Sequence, residues 1–283
     1  MSVSGFSEGD RIRLEDEKGR MVSFTLKPGA TFHTHKGWIL HDDLIGKAEG
    51  SIIETNSGMK YQAFTPLYPD FALGMPRGAT IIYPKDAALI IGYGDVRRGQ
   101  KIIEAGAGSG ALSIAVLKTL AGSGELISFE GRDEFAEIAE RNVETFFGEI
   151  PKTWKLQRMR LEDADSEDFA GSDRFILDML SPWDHIDQAA RALKPGGVLI
   201  VYVATTTQLS RVAEAIKNDG RFTEPESFET LLRNWHHEGL AVRPAHSMNA
   251  HTGFLTFARR NAGTQLARRR RPAKGAYNDE SDA

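Results

Sequence analysis

The 283-residue sequence contains no cysteine. Disulfide bonds, thiolate zinc sites, iron–sulfur clusters and cysteine nucleophiles are therefore excluded by the composition alone. The sequence also lacks an uncharged apolar run of the roughly 18 residues that a bilayer span needs, and its opening residues, MSVSGFSEGD, lack the basic-then-apolar order of a signal peptide. We therefore expect a globular, cytoplasmic protein with no membrane contact.

The charge balance is close to neutral and slightly acidic. The 35 basic and 39 acidic residues give a formal net charge of −4, which does not indicate a polyanionic partner. Positive charge is nevertheless concentrated near the C-terminus, where residues 239–276 contain arginines and one lysine but no acidic residue. Arg243, Arg259, Arg260 and the run Arg268 to Arg271 could contact phosphates or could simply be solvated, and both interpretations stay open.

The first 64 residues predict a small all-β module. Apolar residues alternate with polar ones around Ile12 and Leu14 and again over residues 22–26, which is the period of a β-strand. Asn56-Ser57-Gly58 separates two further strand-like segments and is a strong hairpin signal. Prolines and glycines then mark residues 65–79 as a connector.

In residues 80–261, strand-like segments alternate with amphipathic helices, which indicates an α/β domain whose parallel sheet is covered on both faces. The predicted strands are residues 101–105, 125–130, 154–159, 175–179 and 198–203. Residues 239–246 and 252–259 predict two more strands with no helix between them, hence an antiparallel pair at the sheet edge. Residues 262–283 form a basic-then-acidic tail that we expect to be disordered.

A glycine-rich loop follows the first predicted strand of this domain and leads directly into a predicted helix, residues 111–120. The missing side chains of Gly106, Gly108 and Gly110 would let a nucleotide-like ligand lie against the backbone at the helix N-terminus. The loop also fits G-x-G-x-x-A, so by itself it does not separate a nicotinamide cofactor from S-adenosylmethionine. Glu130, at the end of the next strand, could take the ribose hydroxyls of either ligand.

The segment Ile176 to Trp183 places a carboxylate, Asp178, at the carboxyl end of a strand and follows it with a Pro-Trp turn. Substrates of open parallel sheets bind outside this edge, so Asp178 is a candidate for chemistry on the acceptor of the transferred group. The alternative is that Asp178 only caps the following helix. Residues 192–197 and the strand after them complete a pattern that is usual in methyltransferases and unusual in dehydrogenases.

With these motifs in place, the sequence resembles the class I S-adenosylmethionine-dependent methyltransferases, and more narrowly the tRNA (adenine-N1)-methyltransferase family that modifies adenosine 58 of the T-loop. The resemblance covers nearly the whole chain. It rests on five ordered segments: Gly37 to Gly46, Ile82 to Asp86, Glu104 to Gly110, Leu177 to Trp183 and His251 to Leu255.

The resemblance implies a Rossmann-like, seven-stranded mixed sheet, S-adenosylmethionine as cofactor, no metal, tRNA as partner and a homotetramer, with the N-terminal module helping to engage tRNA. It implies that the methionine moiety is held by Glu104, Gly106, Ala107, Gly108, Ser109 and Gly110. Glu130 would bind the ribose and Asp163 the adenine amino group, with the adjacent Glu162 as the alternative. Asp178 matches the catalytic aspartate and also borders the cofactor, and Tyr83 and Tyr202 match positions that flank the target base.

The chemistry agrees with these assignments. Adenine N1 has an in-plane lone pair but is weakly basic, and a carboxylate that accepts a hydrogen bond from the exocyclic N6 amino group pushes electron density toward it. The methyl group on a sulfonium is already activated, so alignment is the protein's main task. The target base is buried in folded tRNA and must be extruded, and an aromatic ring could then receive it.

Other functions are weaker alternatives. They are a class I methyltransferase acting on another RNA, a protein or a small molecule, a non-catalytic RNA-binding subunit, and a nicotinamide dehydrogenase. The non-catalytic subunit would be expected to lose the glycine loop and the aspartate, and both are intact here. His33, His35 and His41 could suggest a metal site because alternate strand residues share a face, but contacts to RNA or to a neighbouring subunit are the favoured interpretation.

Overall fold

The structure, a computed structural model, describes residues 5–263. Six short strands make up the N-terminal region: β1 (Arg11–Asp16), β2 (Met21–Thr25), β3 (Thr31–Thr34), β4 (Gly37–Leu40), β5 (Ile52–Glu54) and β6 (Lys60–Phe64). Four of them form an antiparallel sheet of order β2-β1-β6-β5, and β3 pairs with β4 in a separate hairpin. Ile12 and Leu14 are fully buried, so the predicted alternation along β1 is confirmed.

Two helices lead from this region to the main sheet. Helix α1 (Tyr68–Gly74) lies inside the segment predicted to be only a connector, and α2 (Pro84–Tyr93) follows it. Each helix has a proline in its first turn, where the missing N–H costs no hydrogen bond. Arg13 of β1 donates to Asp70 of α1 at 2.9 Å and so joins the two regions by an ion pair.

The remaining elements form a seven-stranded mixed sheet with helices on both faces and one separate hairpin. They are β7 (Lys101–Ala105), α3 (Ala111–Leu120), β8 (Glu125–Phe129), α4 (Asp133–Phe147), β9 (Trp154–Gln157), β10 (Ser172–Leu177), α5 (Ile186–Ala192), β11 (Leu193–Val203), α6 (Thr206–Asp219), β12 (Glu226–Phe228), β13 (Trp235–Glu238), β14 (Ala241–Pro244) and β15 (Phe254–Arg259). The strand order is β12-β15-β11-β10-β7-β8-β9, in which β15 runs antiparallel to both β11 and β12. The predicted fold class is confirmed.

Strands β7, β8 and β10 are buried on both faces because helices cover both sides of the sheet. Two large apolar clusters result, one on each face. Helix α4 buries Ala136, Ala139 and Val143 at helical spacing and presents charged residues to solvent. No helix within residues 5–263 is long and apolar enough to cross a bilayer.

The predicted edge pair of residues 239–246 and 252–259 is wrong. β14 pairs with β13 in a separate hairpin, whereas β15 pairs with β11 on one side and β12 on the other. Gly239 explains the difference: its positive φ of 55° closes a two-residue turn between Glu238 and Ala241, so β14 finds its partner locally. Of the predicted disordered tail, residues 264–283 lie outside the described residues.

Asn142 of α4 holds the glycine loop against the segment before α2. Its side-chain Nδ2 donates to the carbonyl oxygens of Pro76 and Ser109, each at 2.9 Å, and the residue is buried. The Ser109 hydroxyl in turn accepts from the N–H of Gly78 at 3.2 Å. A buried amide that satisfies two carbonyl groups is costly to remove.

We predict that Asn142→Ala lowers the free energy of unfolding by about 1 to 3 kcal/mol, because two buried carbonyl groups lose their donor. Urea denaturation measures the change. Thr145→Ala is the matched control, since within the described chain its hydroxyl bonds only to the exposed Arg141 carbonyl of the same helix, and it should cost less than about 0.5 kcal/mol. Equal losses in the two variants would show that the Asn142 bridge does not stabilise the loop.

Candidate active site

A crevice of about 440 Å³ opens at the carboxyl ends of β7, β8 and β10. Its walls include Gly106 of the glycine loop, Glu130 and Arg132 after β8, Glu162, and Asp178 after β10. Because parallel strands end at one edge of a sheet, residues far apart in sequence meet here. The crevice therefore collects several of the site residues predicted from the sequence.

Each of the three loop positions requires glycine for a different structural reason. All have positive φ, at 94° for Gly106, 54° for Gly108 and 82° for Gly110. A Cβ at Gly106 would overlap the carbonyl oxygen of Asp178, and one at Gly110 would lie 3.3 Å from Ala139 of α4, so both glycines permit close packing within the protein. At Gly108 a Cβ would have only one neighbour within 4 Å, the carbonyl oxygen of Gly106 at 4.0 Å, so Gly108 is the loop glycine that can present bare backbone to a ligand.

Glu130 is buried at the end of β8, and its carboxylate already accepts four hydrogen bonds. The donors are the N–H of Gly108 at 2.9 Å and, from Arg132, the backbone N–H at 3.1 Å, Nε at 2.8 Å and Nη2 at 3.1 Å. Burial opposes ionisation, but these bonds outweigh it and lower the pKa of Glu130. A carboxylate has about four acceptor positions, so ribose hydroxyls can bind Glu130 only in exchange for bonds from Arg132.

Glu104, in β7, is completely buried beneath the loop. Its Oε2 accepts from the hydroxyls of Ser113 at 2.7 Å and Ser128 at 2.5 Å, and Trp154 Nε1 donates to Ser128 at 2.9 Å. Its Oε1 has no hydrogen-bond partner in the part of the chain that the structure describes. Burial raises the pKa of Glu104 to about 7 despite the serine bonds, and the charge of Glu130 adds to the effect.

Asp178 follows β10, and its backbone N–H donates to the carbonyl of Ala105 at 2.9 Å. Burial, reinforced by the negative charges of Glu104 and Glu130, raises the pKa of Asp178 to about 7, and Arg132 only partly offsets this. The alternative role as a helix cap is wrong. The next helix is a short 3-10 turn over Pro182–His185, which begins after Ser181 without a side-chain cap.

Tyr202, in β11, lies within electrostatic range of Asp178 and Tyr83, since both affect the pKa of its phenol. It is buried, and its hydroxyl donates to the carbonyl oxygen of Thr252 at 2.7 Å. Burial, then the charges of Asp86 and Asp178, raise the pKa of this phenol well above its usual range. A Cβ on Gly253 would overlap the Tyr202 ring, so a glycine at that position lets the ring lie close to the backbone.

Two of the sequence motifs meet in a buried network that no local pattern predicts. Lys85 Nζ donates to Asp86 at 2.6 Å and to the Thr252 hydroxyl at 2.7 Å, and that hydroxyl donates to the other Asp86 oxygen at 2.7 Å. The available signal is that Ile82 to Asp86 and His251 to Leu255 each stand out as motifs. Nothing in one sequence indicates that they touch.

The residue before Thr252, His251, has a hydrogen-bond acceptor at each ring nitrogen. Its Nε2 lies 2.7 Å from the carbonyl oxygen of Ala204 and its Nδ1 lies 2.8 Å from the Glu229 carboxylate. Both contacts favour the doubly protonated ring, so they raise the pKa of His251, the backbone carbonyl contributing most. The imidazole thereby ties the chain before β13 to the end of β11.

The remaining candidates from the sequence are more scattered. Glu162 lines the crevice, whereas Asp163 is not among its lining residues in the described chain. His41 points into the N-terminal core, where Nδ1 accepts from the N–H of Lys27 at 3.0 Å, while His33 and His35 border a surface pocket. Within residues 5–263, no group of three metal-ligating side chains is close enough to share an ion.

The mixed sheet, its order and the glycine-lined crevice define a Rossmann-like methyltransferase of class I. The family described as the tRNA methyltransferase complex GCD14 subunit matches residues 65–240, and a TrmI-like N-terminal family matches residues 5–53. The chain belongs to the GCD14 family.

Known proteins resemble the chain over most of its length. It is 32% identical over 258 residues to the tRNA (adenine(58)-N(1))-methyltransferase TrmI of Thermus thermophilus, covering 88% of this chain and 96% of that one. A crystal structure of an S-adenosylmethionine-dependent O-methyltransferase from Thermotoga maritima has a TM-score of 0.85 and 30% identity, covering 96% of this chain and 98% of its own. The crystal structure of the tRNA (m1A58) methyltransferase TrmI from Aquifex aeolicus has a TM-score of 0.79 and 27% identity, covering 90% and 98%.

Glu104→Gln should change how stability depends on pH. The pKa of an unfolded glutamic acid is near 4.5 and that of Glu104 is about 7, so the folded state binds more protons between these values and loses stability as pH rises through that range. Glutamine cannot ionise. We expect the variant to gain up to about 3 kcal/mol in unfolding free energy relative to wild type on going from about pH 5 to about pH 8.

Urea denaturation at the two pH values measures this gain. Glu134→Gln, on the exposed first turn of α4, is the control and should show no comparable pH-dependent difference. A difference between Glu104→Gln and wild type that stays constant with pH would contradict the assigned protonation of Glu104.

Proposed function

We propose that this protein transfers the methyl group of S-adenosylmethionine to N1 of adenosine 58 in the T-loop of tRNA. The observation that carries the proposal is the position of Asp178, a partly buried carboxylate at the edge of the glycine-lined crevice whose charge also reaches Tyr202. Membership of the GCD14 family and the names of the related proteins support the substrate.

The charges of the crevice favour a cationic ligand over a dinucleotide. Glu130 raises the pKa of Glu104, and both of these acids raise the pKa of Asp178, so the three carboxyl groups are close to one another. They would repel a pyrophosphate, whereas a sulfonium and an ammonium group would be attracted to them. The Oε1 of Glu104, which has no hydrogen-bond partner within residues 5–263, and the absence of close neighbours around a Cβ at Gly108 in that part of the chain also fit S-adenosylmethionine. These charges favour the methyl donor over the nicotinamide alternative that the loop motif leaves open.

The residues of the crevice then have distinct tasks. Gly108 and the loop from Glu104 to Gly110 would hold the methionine moiety. Glu130 would bind the ribose in exchange for Arg132, and we assign the adenine amino group to Glu162 rather than Asp163 because Glu162 lines the crevice. S-adenosylmethionine, when bound, supplies an activated methyl group on a cationic sulfur.

Asp178 would act on the acceptor base. Its carboxylate would accept a hydrogen bond from the N6 amino group of adenine, which makes N1 more electron-rich without removing a proton from it. The carboxylate would also stabilise the positive charge of the methylated product. Tyr83 and Tyr202 would stack against the extruded base and align N1 with the methyl group.

This mechanism makes activity depend on the protonation of Asp178. The free enzyme has an Asp178 pKa of about 7, so below that pH a growing fraction of the acceptor is lost as the carboxyl group takes up a proton. We predict that the second-order rate constant for cofactor falls about tenfold per pH unit below pH 7 and is level above it. Rapid-quench assays with unmodified tRNA measure the profile.

Asp178→Asn should lower the rate at saturating cofactor and tRNA by at least about 100-fold, because a neutral amide stabilises the developing charge poorly. The pH dependence of the remaining activity should no longer show the ionisation near pH 7. Asp184→Asn, an exposed aspartate in the 3-10 turn that follows, is the matched control and should keep the wild-type profile. Wild-type turnover in Asp178→Asn would remove Asp178 from the mechanism.

Mass-spectrometric mapping of methylated nucleosides after incubation with unmodified tRNA tests the activity itself. The proposal requires 1-methyladenosine at position 58. Methylation at another nucleoside, or of a protein or small molecule only, would favour the alternative of the same class. A non-catalytic RNA-binding subunit would bind tRNA without any methyl transfer, which the intact loop and Asp178 argue against.

We further propose that the protein acts as a cytoplasmic homotetramer and that the N-terminal β module helps to engage tRNA. The hairpin of β13 and β14 supports self-association, because it carries the exposed apolar side chains of Trp235, Leu240 and Val242. Burial of these side chains against a second copy of the chain would stabilise the assembly.

Replacing Leu240 and Val242 together with aspartate should therefore lower the mass measured by light scattering from that of a tetramer. Ile150→Asp, an exposed apolar residue after α4, is the control and should leave the mass unchanged. A monomeric wild-type protein would contradict the proposed assembly directly.

A further inference from the structure

A second cavity of about 290 Å³ lies beside Tyr83 and shares no lining residue with the crevice in the described part of the chain. Its walls come from α1, the start of α2 and the chain on both sides of the β13–β14 hairpin. Tyr83, Lys85, Leu232, Asn234, Ser247 and Asn249 are the residues that determine its character. The proposed transfer reaction uses Tyr83 from this wall but assigns no ligand to the cavity.

The cavity combines apolar walls with a polar edge. Leu73, Leu232 and Met248 supply the apolar surface, and Asn234 and Asn249 supply amide donors and acceptors. This combination suits a flat heterocycle, whose faces pack on apolar groups while its edge forms hydrogen bonds.

Lys85 provides a built-in donor at the cavity wall. Its side chain is only 10% exposed, and its ammonium group has three N–H donors, of which Asp86 and Thr252 take two. The third N–H has no assigned partner within residues 5–263. Because Asp86 balances the charge of Lys85, the group offers a hydrogen bond without making the cavity strongly cationic.

The cavity is close to the place where chemistry is proposed. Thr252 belongs to its wall, and the carbonyl of Thr252 accepts a hydrogen bond from the hydroxyl of Tyr202. The charge of Asp178 in turn contributes to the raised pKa of Tyr202. Tyr83 borders the cavity and is also near Tyr202. A strand that places one base beside Asp178 would therefore bring its neighbouring nucleotide within reach of the cavity.

We propose that this cavity binds the base of a nucleotide adjacent to the target adenosine, so that two unstacked bases of the RNA are held at once. The inference rests on the proposed function, because it takes the acceptor to be RNA. Arg233, next to Asn234, and Arg243 in β14 are exposed and carry positive charge toward the phosphates of such a strand. Binding two bases would position the target more rigidly than one stacking contact.

Ser247→Trp tests the inference by filling the cavity from an exposed position, which leaves the Lys85 network and Asp178 untouched. We expect the dissociation constant for unmodified tRNA, measured by fluorescence anisotropy with S-adenosylhomocysteine present, to rise at least about tenfold, as loss of one bound base would cause. The dissociation constant for S-adenosylmethionine and the thermal unfolding midpoint should not change.

Two variants serve as controls. Ser247→Ala keeps the cavity open and Ala250→Trp adds the same indole at an exposed site outside the cavity lining, so both should bind tRNA within about twofold of wild type. Light scattering on each variant checks the assembly. Wild-type tRNA affinity in Ser247→Trp would overturn the inference.

A change of subunit number in Ser247→Trp would also overturn it, by assigning the cavity to a second copy of the chain. The proposed function is judged separately, from methylation of tRNA by the wild-type protein. If wild type methylates tRNA and Ser247→Trp keeps full affinity, only the cavity inference fails. If wild type leaves tRNA unmodified, the proposed function fails, and the cavity inference that rests on it fails as well.

Discussion

The site depends on three acidic side chains brought together in a poorly solvated space. Glu104, Glu130 and Asp178 lie in or directly after neighbouring parallel strands, so the sheet itself enforces their proximity. Like charges in such a place raise one another's pKa, and only Glu130 escapes because Arg132 and Gly108 supply it with four hydrogen bonds. Glu104 and Asp178 are therefore only partly ionised near pH 7, and a bound cation would favour their ionised forms.

The glycine loop links this electrostatic arrangement to the fold. Gly106 lies against the carbonyl of Asp178, and Asn142 ties the loop to the segment before α2. The proposed acceptor carboxylate and the proposed cofactor loop are thus parts of one packed unit. Tyr202, Thr252 and Lys85 continue that unit toward the second cavity, so the proposed sites for donor, target base and neighbouring base share a single set of contacts.

Most of the fold can be predicted from the sequence because its apolar residues recur at the spacing of strands or of helices. Alternation in β1, the apolar strands and the amphipathic α4 can all be recognised from it, as can the crevice residues at strand ends. The β13–β14 hairpin cannot, because the positive φ of Gly239 favours a local pairing over the longer-range one that the pattern suggests. The Lys85 network and the bonds of Arg132 to Glu130 depend on contacts and on side-chain geometry that no local pattern encodes.

Proton release on cofactor binding is the sharpest test of whether the acidic crevice binds a cation. Titration calorimetry of S-adenosylmethionine binding near pH 7, repeated in buffers of different ionisation enthalpy, counts the protons released. We expect a release approaching about one proton, because a cation in the crevice lowers the pKa values of Glu104 and Asp178, with a clearly smaller release in Asp178→Asn. Binding with no proton release in wild type would contradict it.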